Sequence, residues 1–305
     1  MKVVLVNLSN ELFEQSRIRL NVSAQKHGID TVFSHDFEEL KGTAFYLENK
    51  KILDQPKGIG YWAWKPYIIL QAMQSLDEGD VVVYGDCGHE IIASLEPLIK
   101  ICTEETPVLL FANGNLINAH WTKRDCFVEM DCDQWKYWYG RQVDASFSLY
   151  RKSRESIQFL DDWQHYCANE KALTDLPNQD GKKNLPGYIQ HRWDQSILSL
   201  LAIRHNIALY RMPTQFGNHY KAPAFRINGE FNCKNQFLQK QVTYYAADYF
   251  ANSPYFQLLD HHRTKKKETA AKESLAAKLE KRVKRFIRKR WDRLASWVHK
   301  TVTKK

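Results

Sequence analysis

The feature that most constrains the fold stands at the front of the chain. Val3–Leu8 reads Val-Val-Leu-Val-Asn-Leu, an almost unbroken apolar run of strand length. A strand apolar on both faces needs cover on both, which points to a parallel sheet sandwiched between helices. Glu11–His27 follows with helical spacing at Leu12, Ile18 and Val22, and Gly28 stops it. Thr31–Phe33 then reads as a second strand, completing a β-α-β opening. Further buried-strand segments stand at Val81–Tyr84, Val108–Ala112 and Ala145–Tyr150. Helical patterns cover Ser153–Cys167 and Asp194–Arg204, and Ile207–Tyr210 is a late strand. The expectation is an α/β fold with a mostly parallel central sheet flanked by helices. The stretch 213–260 is irregular and aromatic, and no internal repeat occurs.

Two blocks carry chemistry. Gly58-Ile59-Gly60-Tyr61-Trp62-Ala63-Trp64-Lys65-Pro66 precedes a helix running through Tyr67–Ser75. Pro66 suits the first helical turn, where its missing N–H would go unpaired anyway. Glycines before a helix N-terminus, with a lysine in it, suit an anionic group such as a diphosphate. The plainer reading is that Trp62 and Trp64 wedge the helix against the sheet. The second block is Asp80-Val81-Val82-Val83-Tyr84-Gly85-Asp86-Cys87-Gly88. Ligands of open α/β sheets bind beyond the carboxyl ends of strands, which is where Asp86 falls. An aspartate there holds a divalent cation or is an ordinary turn residue. Asp80, after Gly79, reads as a turn.

Together, Gly-x-Gly-Tyr-Trp-x-Trp-Lys-Pro and Gly-Asp-x-x-x-Tyr-x-Asp-x-Gly resemble a group of bacterial glycosyltransferases of the GT-A fold. These act in surface polysaccharide and lipopolysaccharide (capsule-type) assembly. The resemblance covers roughly residues 1–220 and is most specific over 58–88. It extends loosely through His120–Asp125, the strand at Ala145–Tyr150 with its helix, and Trp193-Asp194-Gln195. It implies a hexosyltransferase-like enzyme of nucleotide-diphospho-sugar transferase fold. A UDP-sugar would be the donor, a glycan or lipid-linked acceptor the second substrate, and Mn²⁺ or Mg²⁺ the cofactor. Donor-binding positions carried over are Gly58, Gly60, Tyr61, Trp62, Trp64, Lys65, Asp86 and Gly88. Asp86 matches the first acid of an Asp-x-Asp pair, and Gly88 stands where the second would be. His219 is the candidate second metal ligand beside Asp86. Asp194 either caps its helix or, in an inverting transfer, takes the acceptor hydroxyl proton. Trp121, Lys123, Arg124, Trp193 and Gln195 are acceptor-side candidates, Trp121 for stacking and the two basic residues for phosphates. Trp135, Tyr137, Trp138 and Tyr139 either line an acceptor groove or pack beneath a loop.

Charge divides the chain in two. Residues 262–305 hold 17 Lys and Arg against 4 Asp and Glu, while the rest holds 27 against 31. A mildly acidic body over 1–260 thus carries a strongly basic tail over 261–305. At helical spacing, Leu275, Leu279, Val283, Phe286, Ile287, Trp291, Leu294, Trp297 and Val298 share an arc of roughly 160°. Basic residues fill the opposite side, with Arg290 the one intrusion. This is the pattern of a helix lying on an anionic membrane surface through residues 270–300. The other readings are a helix packed on the body or on another subunit, and nucleic-acid binding by the tail. The acidic body, without a zinc-finger, helix-turn-helix or RNP-type pattern, argues against nucleic acid. An inactive membrane-anchored scaffold is the remaining alternative, kept by Gly88. The longest apolar runs, Val81–Tyr84 and Ile197–Ile203, fall short of the ~18–20 residues that span a bilayer. The N-terminus has no signal-peptide pattern. Six cysteines without a CxxC pair suggest neither disulfides nor zinc. The expected location is the cytoplasm, peripheral on the inner face of the cytoplasmic membrane.

Overall fold

The computed structural model describes residues 1–217 and 252–261. Its strands are β1 (Val3–Ser9), β2 (Thr31–Asp36), β3 (Val81–Gly85), β4 (His89–Ile91), β5 (Val108–Ile117), β6 (Arg141–Val143), β7 (Phe147–Arg151), β8 (Leu209–Arg211) and β9 (Leu259–His261). Five helices frame the main sheet: α1 (Glu14–Lys26), α2 (Trp64–Gln74), α3 (Glu96–Glu104), α4 (Arg154–Cys167) and α5 (Trp193–Arg204). The sheet runs in the order β2-β1-β3-β7-β5-β6, with β8 also paired to β5. β1 pairs in parallel with β2 and β3, and β5 with β8, while β7 and β6 run against their neighbours. Five of the seven strands therefore point the same way, as the alternation of strand and helix predicts.

Strand alternation explains the two cores. Val4, Val6, Val82, Tyr84, Leu110 and Tyr150 point to one face, where α2, α4 and α5 cover them. Val3, Leu5, Val81, Val83, Leu109 and Leu149 point to the other, with Leu20 and Ala24 of α1 and Leu98 and Cys102 of α3. Each fully buried Val, Leu or Ile side chain contributes about 1.5–3 kcal/mol. This burial on both faces is why β1 and β3 read as nearly unbroken apolar runs.

Several expectations need correction in detail. The first helix starts at Glu14, after a 3₁₀ turn at Glu11–Phe13. Leu12, Ile18 and Val22 are exposed, and the helix buries Leu20, Ser23 and Ala24 instead. Small Ala24 and Ser23 let α1 lie close to the sheet; the Ser23 hydroxyl accepts from the Ile91 N–H at 3.0 Å. β7 is antiparallel to β3, with Tyr84 opposite Ser148. That pairing brings the loop before β7 to the carboxyl end of β3, where the Asp86 N–H donates to Ser146 O at 2.8 Å. Part of the stretch expected to be irregular forms β9, which pairs with β4 and sets His89 opposite His261. Cys87, Cys102, Cys126, Cys132 and Cys167 are free and buried. Among the described residues no helix is long and apolar enough to cross a membrane. The basic tail beyond His261 lies outside the described residues.

Candidate functional site

The Gly58 block forms a left-handed turn. Gly58, Ile59, Gly60, Tyr61 and Trp62 have φ of 57°, 52°, 83°, 55° and 60° in succession. Each L-residue in that region costs roughly 1–2 kcal/mol, and three of the five are not glycine. Backbone bonds from Tyr61 N to Lys57 O (2.7 Å) and from Trp62 N to Gly58 O (3.2 Å) hold the turn. Its glycines are required by space as well as by φ. A Cβ on Gly58 would sit 2.4 Å from the Trp62 indole, and one on Gly60 would sit 2.6 Å from Leu53 Cα.

The turn is clamped from across the fold. The Trp62 and Trp193 rings lie 5.2 Å apart, and Trp193 also has a positive φ of 50°. Trp193 Nε1 donates to Asp175 at 2.9 Å, and Lys57 Nζ donates to the same carboxylate at 2.6 Å. Lys57 Nζ also lies 4.2 Å above the Trp193 ring. Trp64 is buried in the core, its Nε1 donating to Gly58 O at 3.3 Å. Of the two tryptophans expected to wedge or bind, Trp64 is the wedge.

Leaving the turn, the chain enters α2, and Lys65 in its first turn points into the protein. Its ammonium lies 3.3 Å from Asp86 Oδ1 and 3.1 Å from Asp194 Oδ2, and donates to Ala145 O at 2.9 Å. Lys65 and Asp194 are each 4% exposed at the side chain, against 21% for Asp86. Asp86 stands just past β3, and the Tyr84 hydroxyl donates to its Oδ1 at 2.5 Å. Burial pulls the Lys65 ammonium toward neutrality, but the Asp194 and Asp86 carboxylates outweigh it and raise its pKa. Burial pushes the Asp194 carboxyl up to about 7, against the pull of Lys65. Asp194 sits in the first turn of α5 and is not its N-cap, which is Arg192.

The expected acceptor-side residues spread along a different seam. Trp121 is half-buried under the Arg192 guanidinium, 4.4 Å from its ring. Lys123 is buried and its Nζ donates to Leu176 O at 3.1 Å. Arg124 pairs with Asp133 at 2.9 Å and lies 5.1 Å above Trp138. Gln195 Nε2 donates to Gln142 Oε1 at 2.9 Å, and Asn113 donates to Gln195 Oε1 at 3.4 Å. Gln195 follows Asp194 in α5 but its side chain is engaged with Gln142 and Asn113, and Lys123 and Arg124 are likewise engaged with other protein groups. In the second aromatic cluster, Trp135 is exposed and Tyr137 buried, and Trp138 Nε1 donates to Asp133 at 3.0 Å.

Tyr84 stood in the second motif without a role of its own, and Lys57 and Asp175 were not singled out in the sequence. Tyr84 was findable, because positions 84 and 86 share one face of a strand. Lys57 and Asp175 offered no signal, since loops far apart in sequence bring them together.

A divalent cation takes several oxygen or nitrogen ligands. Gly88 has no side chain to offer, and His219 lies outside the described residues. Among the described residues no group of three or more His, Cys, Asp or Glu could hold a metal ion. The Lys65 ammonium beside Asp86 also opposes a second cation there. The described residues do not fit a metal centre.

No protein-family model matches the chain, and no curated protein matches its sequence. Solved structures do resemble it. Mouse xyloside xylosyltransferase 1, apo form, is 11% identical over 86% of this chain and 97% of that one, with a TM-score of 0.44. The apo structure of the bifunctional glycosyltransferase WbbM is 11% identical over 87% of this chain, with a TM-score of 0.45. The match spans only 46% of the WbbM chain. The galactosyltransferase LgtC, in complex with donor and acceptor sugar analogues, is 11% identical over 94% and 96%, with a TM-score of 0.39.

Proposed function

We propose that the chain is a glycosyltransferase using a nucleotide-diphospho-sugar donor. The observation that carries this reading is the ion pair between Lys65 and Asp86. It joins the two sequence blocks on which the resemblance rests, at the carboxyl end of a central strand where ligands of such sheets bind.

In this reading Asp86 is the contact residue. Its half-buried carboxylate is the most accessible of the cluster, and the Tyr84 hydroxyl fixes the direction of one oxygen. An ionised carboxylate accepts hydrogen bonds from sugar or ribose hydroxyls more strongly than a neutral group does. The transfer breaks the bond between the anomeric carbon and the diphosphate, and forms one to an acceptor oxygen, whose proton is released. The donor is a UDP-sugar. The acceptor is a glycan or lipid-linked glycan of a surface polysaccharide. The segment 270–300 holds the enzyme on an anionic membrane surface, where a lipid-linked acceptor would be found.

The test is a thermal-shift screen of the full chain against UDP, GDP, CDP, CMP and ADP, each with and without Mn²⁺. One nucleoside diphosphate should raise the melting temperature, and Asp86→Ala should abolish the rise. Absence of a response to all five nucleotides would overturn the proposal.

A further inference from the structure

We propose that Lys65 and Asp194 form a buried positioning pair that aims the Asp86 carboxylate. This rests on the reading of Asp86 as the group that contacts the donor. The three side chains come from three separate elements: the first turn of α2, the end of β3 and the first turn of α5. The two carboxylates share one ammonium, with Lys65 Nζ 3.3 Å from Asp86 and 3.1 Å from Asp194.

Only one of the three side chains meets solvent appreciably. Asp86 is 21% exposed, while Lys65 and Asp194 are each 4% exposed. A ligand arriving at the carboxyl end of β3 meets Asp86 first. Asp194 is buried against the ammonium, and Trp62 of the Trp62–Trp193 clamp lies 6.0 Å from that ammonium. An ammonium has three N–H donors. Lys65 Nζ donates to the Ala145 carbonyl and lies within 3.3 Å of an oxygen of Asp86 and of Asp194. The Lys65 side chain is only 4% exposed, so its ammonium acts on the two carboxylates and not on a phosphate.

The second carboxylate has a physical purpose. With Asp86 as its only anion, Lys65 would draw that carboxylate inward and neutralise it. Shared with Asp194, the ammonium holds Asp86 in place while leaving it a strong acceptor. Asp194 is itself fixed. It sits in the first turn of a 12-residue helix, where the dipole favours an anion. Its own backbone carbonyl accepts from Trp163 Nε1 at 3.2 Å. Lys65 and Asp194 are therefore positioning residues that act through Asp86.

The experiment is a cycle on the full chain: wild type, Lys65→Met, Asp194→Asn, and the double variant. Each is titrated with the nucleoside diphosphate found in the screen, and donor KM and kcat are measured with the sugar nucleotide of that base. Melting temperatures verify folding. Each single variant should weaken nucleotide binding tenfold or more and raise donor KM more than it lowers kcat. Lys65→Met should be the worse, because it leaves two carboxylates facing each other. The double variant should recover at least half of that logarithmic loss, since both charges leave together. Asp194→Asn is nearly isosteric and carries the test alone if Lys65→Met does not fold. A general-base role for Asp194 predicts the opposite pattern. Asp194→Asn would then keep donor affinity and KM while kcat fell about a thousandfold, and that result would overturn the proposal. So would a double variant no better than Lys65→Met. A wild type that binds no nucleoside diphosphate would remove the donor reading itself, whereas normal binding with a flat cycle would remove only the positioning pair.

Discussion

The ammonium of Lys65 lies 3.1 Å from the carboxylate of Asp194, and both side chains are 4% exposed. Two helices that pack on the same face of the sheet are thereby joined by opposite charges in the interior. Removing one partner of such a pair strands a buried charge, which typically costs about 3–5 kcal/mol. Lys65→Met should therefore lower stability by about that amount, read as a shift in the urea unfolding midpoint at unchanged slope. A loss below about 1 kcal/mol would mean that water reaches the pair or that the Asp194 carboxyl, already raised to about 7, takes up a proton.

The glycines of the block should differ sharply from an ordinary surface glycine. Gly60 has a φ of 83°, and an added Cβ would lie 2.6 Å from the Leu53 backbone, which cannot swing away. Gly60→Ala should cost about 2–5 kcal/mol, combining left-handed strain with overpacking. Gly28 has a φ of 90° but nothing within 4 Å of a new Cβ. Gly28→Ala should cost only about 1–2 kcal/mol. Equal costs in thermal unfolding would argue against the left-handed turn.

Acid should weaken the fold through a buried imidazole. His191 accepts the Lys123 N–H at Nδ1 and donates from Nε2 to Ala172 O. Burial, with the nearby Lys123 charge, lowers its pKa to about 3. Between that value and about 6.5 the unfolded chain binds the proton and the folded one does not. The His191 contribution is thus complete above about pH 6.5 and declines as pH falls toward 3. At pH 5 the loss is about 2 kcal/mol. His89, lowered to about 4 by burial and by His261, works in the same direction. Asp194 works in the other, because its raised pKa makes its contribution fall as pH climbs from about 4 to about 7. His191→Gln should flatten the dependence of the urea midpoint on pH between 7 and 5. An unchanged slope would show that this histidine titrates normally.

The membrane proposal for segment 270–300 has a quantitative consequence. Each basic residue near an anionic surface contributes about 1 kcal/mol. Replacing Arg282, Arg285, Arg288 and Arg293 with Gln should weaken binding to phosphatidylserine-containing vesicles roughly a thousandfold. Nucleoside-diphosphate binding should be unaffected. Vesicle binding that survives the four replacements would point to the apolar arc alone, and no vesicle binding by the wild type would end the membrane reading.

Period and composition determined much of this chain before any tertiary structure. The runs at Val3–Leu8 and Val81–Tyr84 are apolar at every position but one, and only burial on both faces explains that. Strand-to-helix alternation therefore set the sheet and its flanking layers, and Asp86 fell at a strand end by counting. Other things needed the fold. Which side of α1 is buried was not in its apolar spacing, because close packing against the sheet favoured small Ala24 and Ser23 over Ile18 and Val22. The direction of β7 was invisible, since an apolar strand reads alike in either orientation. The sense of Lys65 was invisible too. A lysine in the first turn of a helix reads as a surface cation ready for phosphate. It became an internal one because α2 and α5 pack on the same face as Tyr84, placing two carboxylates and a carbonyl around its ammonium. Local pattern follows from backbone geometry and burial, which act over a few residues. Charge pairing acts through distances in space, and those exist only once the elements have packed.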